Sequence, residues 1–195
     1  LGEVKRTPLT ALSAAGRRGI VVMDLEPGDS LVSARLAHDG QEVILVTAQG
    51  KALRFPVEQL RLASRKSGGV RGIRLAPGDE VVAMEVVEQG GELLVLSARG
   101  YGKRTPIAHY PTHHRGGQGV ITYKTGPRTG PLATARLVFP NDQLVILSQD
   151  GVALRTSVAD VPLQGRSTQG VKVMELSPQD RVVGMAVVPM ERGEI

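Results

Sequence analysis

The sequence contains no cysteine and no tryptophan, and aromatic residues make up only 3% of its 195 positions. The lack of cysteine excludes disulfide bonds and thiolate chemistry. No apolar run reaches the roughly 18 residues that a membrane helix needs, and no basic-then-apolar leader is visible, so we expect a soluble, cytoplasmic protein without a membrane partner. The 41% hydrophobic content is enough for a core of ordinary size, which predicts a single domain over residues 1–195.

Catalytic motifs are also lacking. GYGKRT at 100–105 superficially resembles a phosphate-binding loop, but Ser97 stands where that loop needs a glycine and Arg104 stands where it needs Ser or Thr. No G-x-S-x-G, H-E-x-x-H or G-x-G-x-x-G occurs. We interpret three histidines near Tyr110 as part of a surface loop: His109, His113 and His114. We therefore expect no catalytic residue, metal or cofactor on this chain.

The sequence does contain a repeat with a period of about 50 residues. One motif is a glycine followed four residues later by an arginine, at Gly2 and Arg6, Gly50 and Arg54, Gly100 and Arg104, and Gly151 and Arg155. The second is a glycine before a β-prone run, at Gly19, Gly69, Gly119 and Gly170. The period predicts four units, at approximately 1–49, 50–99, 100–150 and 151–195.

Each unit carries short β-prone segments and no helical periodicity of useful length. Turns such as EPGD at 26–29 precede predicted strands at Leu31–Leu36, Val81–Val87, Ala133–Val138 and Val182–Val188. Apolar runs follow at VILV 43–46, LLVL 93–96 and LVIL 144–147, and we expect them to be buried on both faces. This pattern is typical of an all-β propeller. Because the first unit has no such run ahead of it, we expect an open edge near Leu1 and a fragment of a longer array.

Most of the 24 Lys and Arg residues fall in the two motifs. The glycine-arginine hairpins hold Lys5, Arg6, Lys51, Arg54, Lys103, Arg104 and Arg155. The glycine-strand segments and their lead-in loops hold Arg17, Arg18, Arg65, Lys66, Arg71, Arg74, Arg115, Lys124, Arg128, Arg166 and Lys172. Equivalent places in successive units would align these cations along one rim, where we expect them to be exposed and to contact the phosphates of a nucleic acid.

The small number of aromatic residues indicates which kind of nucleic acid to expect. The five aromatic residues are too few to stack the bases of a single strand: Phe55, Tyr101, Tyr110, Tyr123 and Phe139. No recognition helix or zinc-finger spacing is visible, so duplex bound through its backbone, with little sequence preference, is favoured. In a competing interpretation the hairpin cations, Lys103 and Arg104 among them, are structural and pair with acids across the boundary between units.

The sequence resembles a known family at three stretches: GKALRFPVEQLRLASRKSGGVRGIRLAPGDEVVAMEVV from Gly50, GYGKRTPIAHYPTHHRGGQGVITYKT from Gly100 and DGVALRTSVADVPLQGRSTQGVKVMEL from Asp150. These are similar to the C-terminal DNA-wrapping domain of the DNA gyrase A protein, and the resemblance covers essentially the whole chain. It implies the last four blades of a six-bladed β-pinwheel, a propeller-like disc whose blades exchange strands.

The resemblance also implies a function. The family domain wraps duplex DNA around a basic rim and supports ATP-dependent supercoiling by an A2B2 holoenzyme on the nucleoid, in which the cleaving tyrosine and the ATP and Mg²⁺ site lie outside this domain. Its Q-R-R-G-G-K/R-G box lies in the first blade, and the loop Arg115, Gly116, Gly117, Gln118 and Gly119 is a degenerate version of it. The alternatives are the paralogous C-terminal domain of topoisomerase IV and a propeller that recognises proteins without a DNA role.

Overall fold

A computed structural model describes residues 1–13, 15–17 and 19–190. Short strands and single 3-10 turns make up its regular structure, which confirms the predicted all-β fold. The strands are β1 Glu3–Val4, β2 Glu42–Thr47, β3 Lys51–Pro56, β4 Val70–Arg71, β5 Val81–Val86, β6 Glu92–Ser97, β7 Tyr101–Pro106, β8 Val120–Ile121, β9 Leu132–Val138, β10 Gln143–Ser148, β11 Ala153–Ser157, β12 Val171–Lys172 and β13 Val182–Val188. The 3-10 helices are Leu9–Leu12, Val57–Gln59, Ile107–His109 and Val158–Asp160. No helix among the described residues is long and apolar enough to cross a membrane.

Successive repeats exchange strands. The two complete sheets have the orders β5-β2-β3-β8 and β12-β7-β6-β9, and the last has the order β11-β10-β13. In each complete sheet three strands come from one repeat and the fourth, short strand comes from the next. Counted by sheets, a unit begins at the apolar strand, β2 or β6, whereas Gly50 and Gly100 lie in the turn inside a hairpin. The exchange ties neighbouring repeats together through backbone hydrogen bonds.

The cores lie between successive sheets. Alternate residues of β2 point to opposite faces, so that Val43 and Leu45 pack in one core and Ile44 and Val46 in another. The equivalent residues of β6 are divided in the same way between that second core and a third. Each apolar strand therefore has a buried neighbour on both faces, which explains why its sequence does not alternate.

Two expectations about strands are wrong. Residues 31–36 are not a strand, because the described part of the chain offers the first repeat no counterpart of β2 with which to pair. The run at 144–147 is buried on one face only: Leu144 and Ile146 are fully buried, while Leu147 is 45% exposed. No further sheet of the described chain covers that face. Both departures occur at the ends of the array, where a repeat has a neighbour on one side only.

Candidate nucleic-acid interface

The short exchanged strands form the outer edges of the sheets. β4 pairs with β1, β8 with β3 and β12 with β7. At the opposite edges β9 lies against both β5 and β13, whereas the exchanged strands β8 and β12 are not packed on one another. The sheets are therefore arranged as an arc with β5, β9 and β13 on its inside. The loops that lead into the exchanged strands therefore run along its outside. We call residues 64–74, 114–128 and 165–172 the outer band.

One backbone hydrogen bond recurs along the outer band and joins each loop to the repeat before it. The amide donors and carbonyl acceptors are Asp24 and Ser67 at 3.1 Å, Arg74 and Gly117 at 2.8 Å, and Lys124 and Thr168 at 3.0 Å. A donor residue in one repeat is thus fixed beside the loop of the next. As a result the three segments of the band follow one another along a single edge of the molecule.

The outer band contains cations and no Asp or Glu. Its exposed members are Lys66, Arg71, Arg74, Arg115, Lys124, Arg128 and Lys172, and its half-buried ones are Arg65 and Arg166. Arg17, in the first repeat, is exposed as well, and Arg18 lies outside the described residues. Arg61 is a further exposed cation shortly ahead of the band, and it was not predicted because it belongs to neither repeated motif.

Some cations of the band have partners within the protein. The Arg115 guanidinium donates to the carbonyl oxygens of Gln59 at 3.2 Å and Arg71 at 3.0 Å. Arg128 and Lys172 both lie over the Tyr101 ring, at 5.1 and 4.9 Å from its centroid. Five others have no side-chain hydrogen bond or ion pair to the described residues: Lys66, Arg71, Arg74, Lys124 and Arg166. These five are available to an external anion.

The hairpin cations differ, and the expectation that Lys103 and Arg104 are exposed on the rim is wrong. Lys103 is 0% exposed and its ammonium donates to the carbonyl oxygens of Gly165 and of Arg166, the latter at 2.5 Å. Burial lowers the pKa of Lys103 to about 8, and the positive charge of Arg166 acts in the same direction. A side chain with this environment holds the loop of the next repeat and does not reach a phosphate.

Two hairpin arginines, Arg54 and Arg104, fasten their sheet to the 3-10 helix of the next repeat. Arg104, 8% exposed, pairs with Glu92 and donates to the carbonyl of Val161 at 2.6 Å. Arg54 pairs with Glu42 and donates to two carbonyls at the next 3-10 helix, those of Ile107 and Tyr110, both at 3.2 Å. The Ile107 carbonyl also accepts from the Tyr110 amide, while the Tyr110 and Val161 carbonyls follow the last helical residue and have no partner within the helix. The competing interpretation is therefore right that these arginines are structural, but the acid of each pair lies in the same sheet, and the contacts across the boundary are made to carbonyls.

Three further hairpin cations have fewer contacts within the protein than Arg54 and Arg104. Arg155 is exposed and donates to Gln143 at 2.6 Å, because no later repeat among the described residues covers it. Arg6 pairs with Asp39, and Lys51 is half-buried. An acid or amide stands twelve residues before three of the arginines, at Glu42, Glu92 and Gln143. This spacing was a signal in the sequence for an internal pair, and it was missed.

The box-like loop Arg115–Gly119 packs against the preceding repeat. The Gly116 amide donates to Gly72 at 2.5 Å, and the Arg115 side chain is held as described above. Gly119 has φ of 69° and lies against the Ala52 carbonyl, where a Cβ would collide. The Gly116 amide is therefore used within the protein and is not available as a donor to an external anion. Gln118 remains exposed.

The aromatic residues are mainly structural. Tyr110 and Tyr123 are buried, and desolvation raises the pKa of both phenols. The Tyr110 hydroxyl shares a hydrogen bond of 2.6 Å with Thr122. Among the described residues no group of His, Asp and Glu side chains is arranged to hold a metal ion. The cations of the outer band are thus the main chemical feature of the surface.

Comparison with known proteins points to one family. The family model "DNA gyrase C-terminal domain, beta-propeller" matches at residues 2–38, 41–88, 91–138 and 142–189. The DNA gyrase A protein of Dehalogenimonas lykanthroporepellens is 39% identical over 96% of this chain and 24% of its own length. The Pseudomonas aeruginosa gyrase A protein is 38% identical over 98% of this chain and 21% of its own length. The chain therefore spans less than a quarter of the length of these curated relatives.

Solved structures agree. A DNA gyrase A C-terminal domain superposes with a TM-score of 0.88 at 29% identity, covering 96% of this chain and 63% of that one. The C-terminal domain of a DNA topoisomerase IV also gives a TM-score of 0.88, at 22% identity over 96% of this chain and 59% of that one, which shows a shared fold. With the family model matching all four repeats, this chain belongs to the DNA gyrase C-terminal domain family of β-propellers.

Proposed function

We propose that this chain binds duplex DNA through its sugar-phosphate backbone along the outer band and wraps it around the outside of the arc. The observation that carries the proposal is the outer band itself, where exposed cations from three repeats follow one edge and the three segments contain no Asp or Glu. The carboxylate of Glu175 pairs with Lys172 next to the band, at 3.4 Å. Lys and Arg that neutralise phosphates release condensed counterions, which supplies affinity without sequence information. A curved edge lets successive cations follow a bent duplex.

The proposed DNA contacts fall into two groups, according to whether the cation already has a partner within the protein. The principal ones are the cations without internal partners: Lys66, Arg71, Arg74, Lys124 and Arg166. Supporting ones are Arg17, Arg65, Arg115, Arg128 and Lys172, and Arg18 remains a prediction. We assign none of the seven hairpin cations to a principal DNA contact: Lys5, Arg6, Lys51, Arg54, Lys103, Arg104 and Arg155. Lys5, Arg54, Lys103 and Arg104 hold neighbouring repeats together, whereas Arg6 and Arg155 pair within their own repeat. The described residues contain no α-helix that could enter a groove, so binding has little sequence preference.

Within a larger protein, the chain serves as the DNA-wrapping part of DNA gyrase, an ATP-dependent type II topoisomerase. Its partners are then the remainder of the gyrase A protein and the gyrase B protein in an A2B2 assembly on the cytoplasmic nucleoid, with ATP and Mg²⁺ used elsewhere in that assembly. The support is that its relatives of 38–39% identity are DNA gyrase A proteins. The topoisomerase IV likeness supports the fold alone, so gyrase is favoured over that alternative.

Fluorescence anisotropy with unrelated duplexes at several salt concentrations tests the proposal. Each neutralised phosphate contributes about 0.9 to the slope of log K against log salt, so the five principal contacts predict a slope of roughly −4.5. We expect similar affinity for all sequences and closer approach of the two ends of a doubly labelled duplex on binding. A flat salt response would reject it and favour a protein-recognition propeller, and affinities that differ more than about tenfold between sequences would reject binding through the sugar-phosphate backbone alone.

A further inference from the structure

The third residue after each hairpin glycine alternates between lysine and leucine. The four equivalent residues are Lys5, Leu53, Lys103 and Leu154. Leu53 is buried at 1% exposure and Lys103 at 0%, so the same place in two hairpins accepts an apolar or a charged side chain. The fold itself does not require an ammonium there, and burying one disfavours its charged form, as the lowered pKa of Lys103 shows.

Both lysines bind the carbonyl oxygens of a loop in the outer band. Lys5 donates to Arg65 at 2.9 Å and Ser67 at 2.8 Å, and also to Val22 at 2.9 Å. Lys103 donates to Gly165 and Arg166. An ammonium has three donors, of which Lys5 uses all and Lys103 two. Each lysine therefore holds, from the inner side, the backbone of a loop that carries cations on its outer side.

The loop opposite Leu53 is held in another way. Gly117 lies against the Leu53 side chain, which offers no donor. The loop's own Arg115 makes the fastening bonds, to the carbonyls of Gln59 and Arg71. By contrast, the equivalent Arg166 in the loop held by Lys103 has no side-chain partner among the described residues. In the loop held by the half-buried Lys5, the equivalent Arg65 donates to the Val21 carbonyl at 3.1 Å, and the neighbouring Lys66 is the cation without a side-chain partner among the described residues. In each of these two loops one cation is therefore available to an external anion.

We propose that Lys5 and Lys103 are positioning residues for DNA binding: each fixes a loop of the outer band through its backbone carbonyls, so that a cation of that loop without an internal partner, Lys66 or Arg166, is presented to a phosphate. This inference rests on the proposed function. Lys103 itself touches no phosphate and acts through the loop 165–170. It follows that the loops beside Lys5 and Lys103 contribute more to binding than the loop of Arg115.

The test is Lys103→Leu, which installs the residue found at this place in two of the other three hairpins, Leu53 and Leu154. We expect the Lys124 and Gln164 amides, which donate to Thr168 and Arg104, to exchange hydrogen faster as the loop loosens. We expect the slope of log K against log salt for duplex DNA to fall in magnitude by about 1, as for the loss of a phosphate contact, although the altered residue is buried. Arg181→Leu is the matched control, since it removes the same charge from an exposed place outside the band.

A double-mutant cycle with Arg166→Gln distinguishes an effect of Lys103 that acts through Arg166 from an effect that is independent of it. If Lys103 acts through Arg166, the effects of the two changes on DNA affinity are not additive. The double variant then binds DNA with about the same affinity as whichever single variant binds more weakly. Additive effects, or unchanged amide exchange and salt slope, overturn the proposal. Should Lys103→Leu fold poorly, Lys5→Leu with Lys66→Gln repeats the cycle in the first hairpin. Failure of the wild-type chain to bind any duplex rejects the proposed function, whereas loosening without loss of binding rejects only the positioning role.

Discussion

The hairpin cations and the outer-band cations recur with the same period and carry the same charge, but the fold uses them differently. Lys103 and Arg104 lie on β7, a strand with a neighbouring repeat on both faces, and the two side chains find carbonyls or a carboxylate there. Arg74 and Lys124 lie beyond the exchanged strands on the outer edge and are exposed. Cations that recur with the period of the repeat therefore occupy equivalent positions in the fold. Whether such a cation has a structural role or can bind DNA depends on the residues that surround that position.

The last hairpin sharpens this comparison. Arg155 and Gly151 occupy the places of Arg104 and Gly100, but the described chain has no later repeat to cover them. Arg155 is accordingly exposed, and a Cβ on Gly151 would meet nothing nearby. Substitutions at the covered and the uncovered hairpin therefore measure what the covering repeat contributes.

The largest effect is expected for Arg104→Ala. Removing the guanidinium leaves Glu92 as an uncompensated buried charge and the Val161 carbonyl without its donor, so the free energy of unfolding should fall by about 3–5 kcal/mol. The matched change Arg155→Ala should alter it by no more than about 0.5 kcal/mol. Urea unfolding of both variants measures the difference. Equal losses would mean that burial between repeats does not determine the role of these arginines.

A smaller effect is expected for Gly100→Ala. Gly100 has φ of 79° and lies against the Met174 carbonyl of the next repeat, so a methyl group adds a collision to the backbone strain. The strain alone costs about 1 kcal/mol, and the collision adds a further 1–3 kcal/mol or so. Gly151→Ala, with φ of 87° and open space, should show the strain alone. Thermal melts compare the two, and a Gly151→Ala variant that melts as low as Gly100→Ala would contradict the account.

The smallest effect concerns pH. Since burial lowers the pKa of Lys103 from 10.5 to about 8, the unfolded state binds more protons between these values, and the stability of the native protein rises with pH across that window. Relative to Lys103→Leu, the wild type should gain at most about 1.4 kcal/mol per pH unit above pH 8 and nothing below it. Urea unfolding at pH 7 and pH 9.5 measures the relative gain. A difference between the two proteins that does not change with pH would place Lys103 in a solvated site.

Much of the fold and the location of the outer band could be predicted from the sequence, because the repeat period and the strand pattern can be observed in the sequence itself. The glycine-arginine spacing located the hairpins, and the glycine-strand segments such as Gly69–Arg74 located the outer band. The burial of Lys103 could not be predicted, since it depends on carbonyls at Gly165 and Arg166 more than sixty residues away. The absence of a strand at residues 31–36 could not be predicted either, because a β-prone segment becomes a strand only where another strand is available to pair with it.

The central claim is that position in the outer band, and not total charge, determines DNA binding. The most direct test compares Arg74→Gln with Lys124→Gln, as a double variant, against Arg155→Gln with Arg181→Gln, in salt titrations of duplex DNA by fluorescence anisotropy. Both variants lose two positive charges at exposed places. We predict that the outer-band variant loses about 1.8 from the magnitude of its log K against log salt slope while the other keeps the wild-type slope. Equal losses in the two variants would contradict the claim.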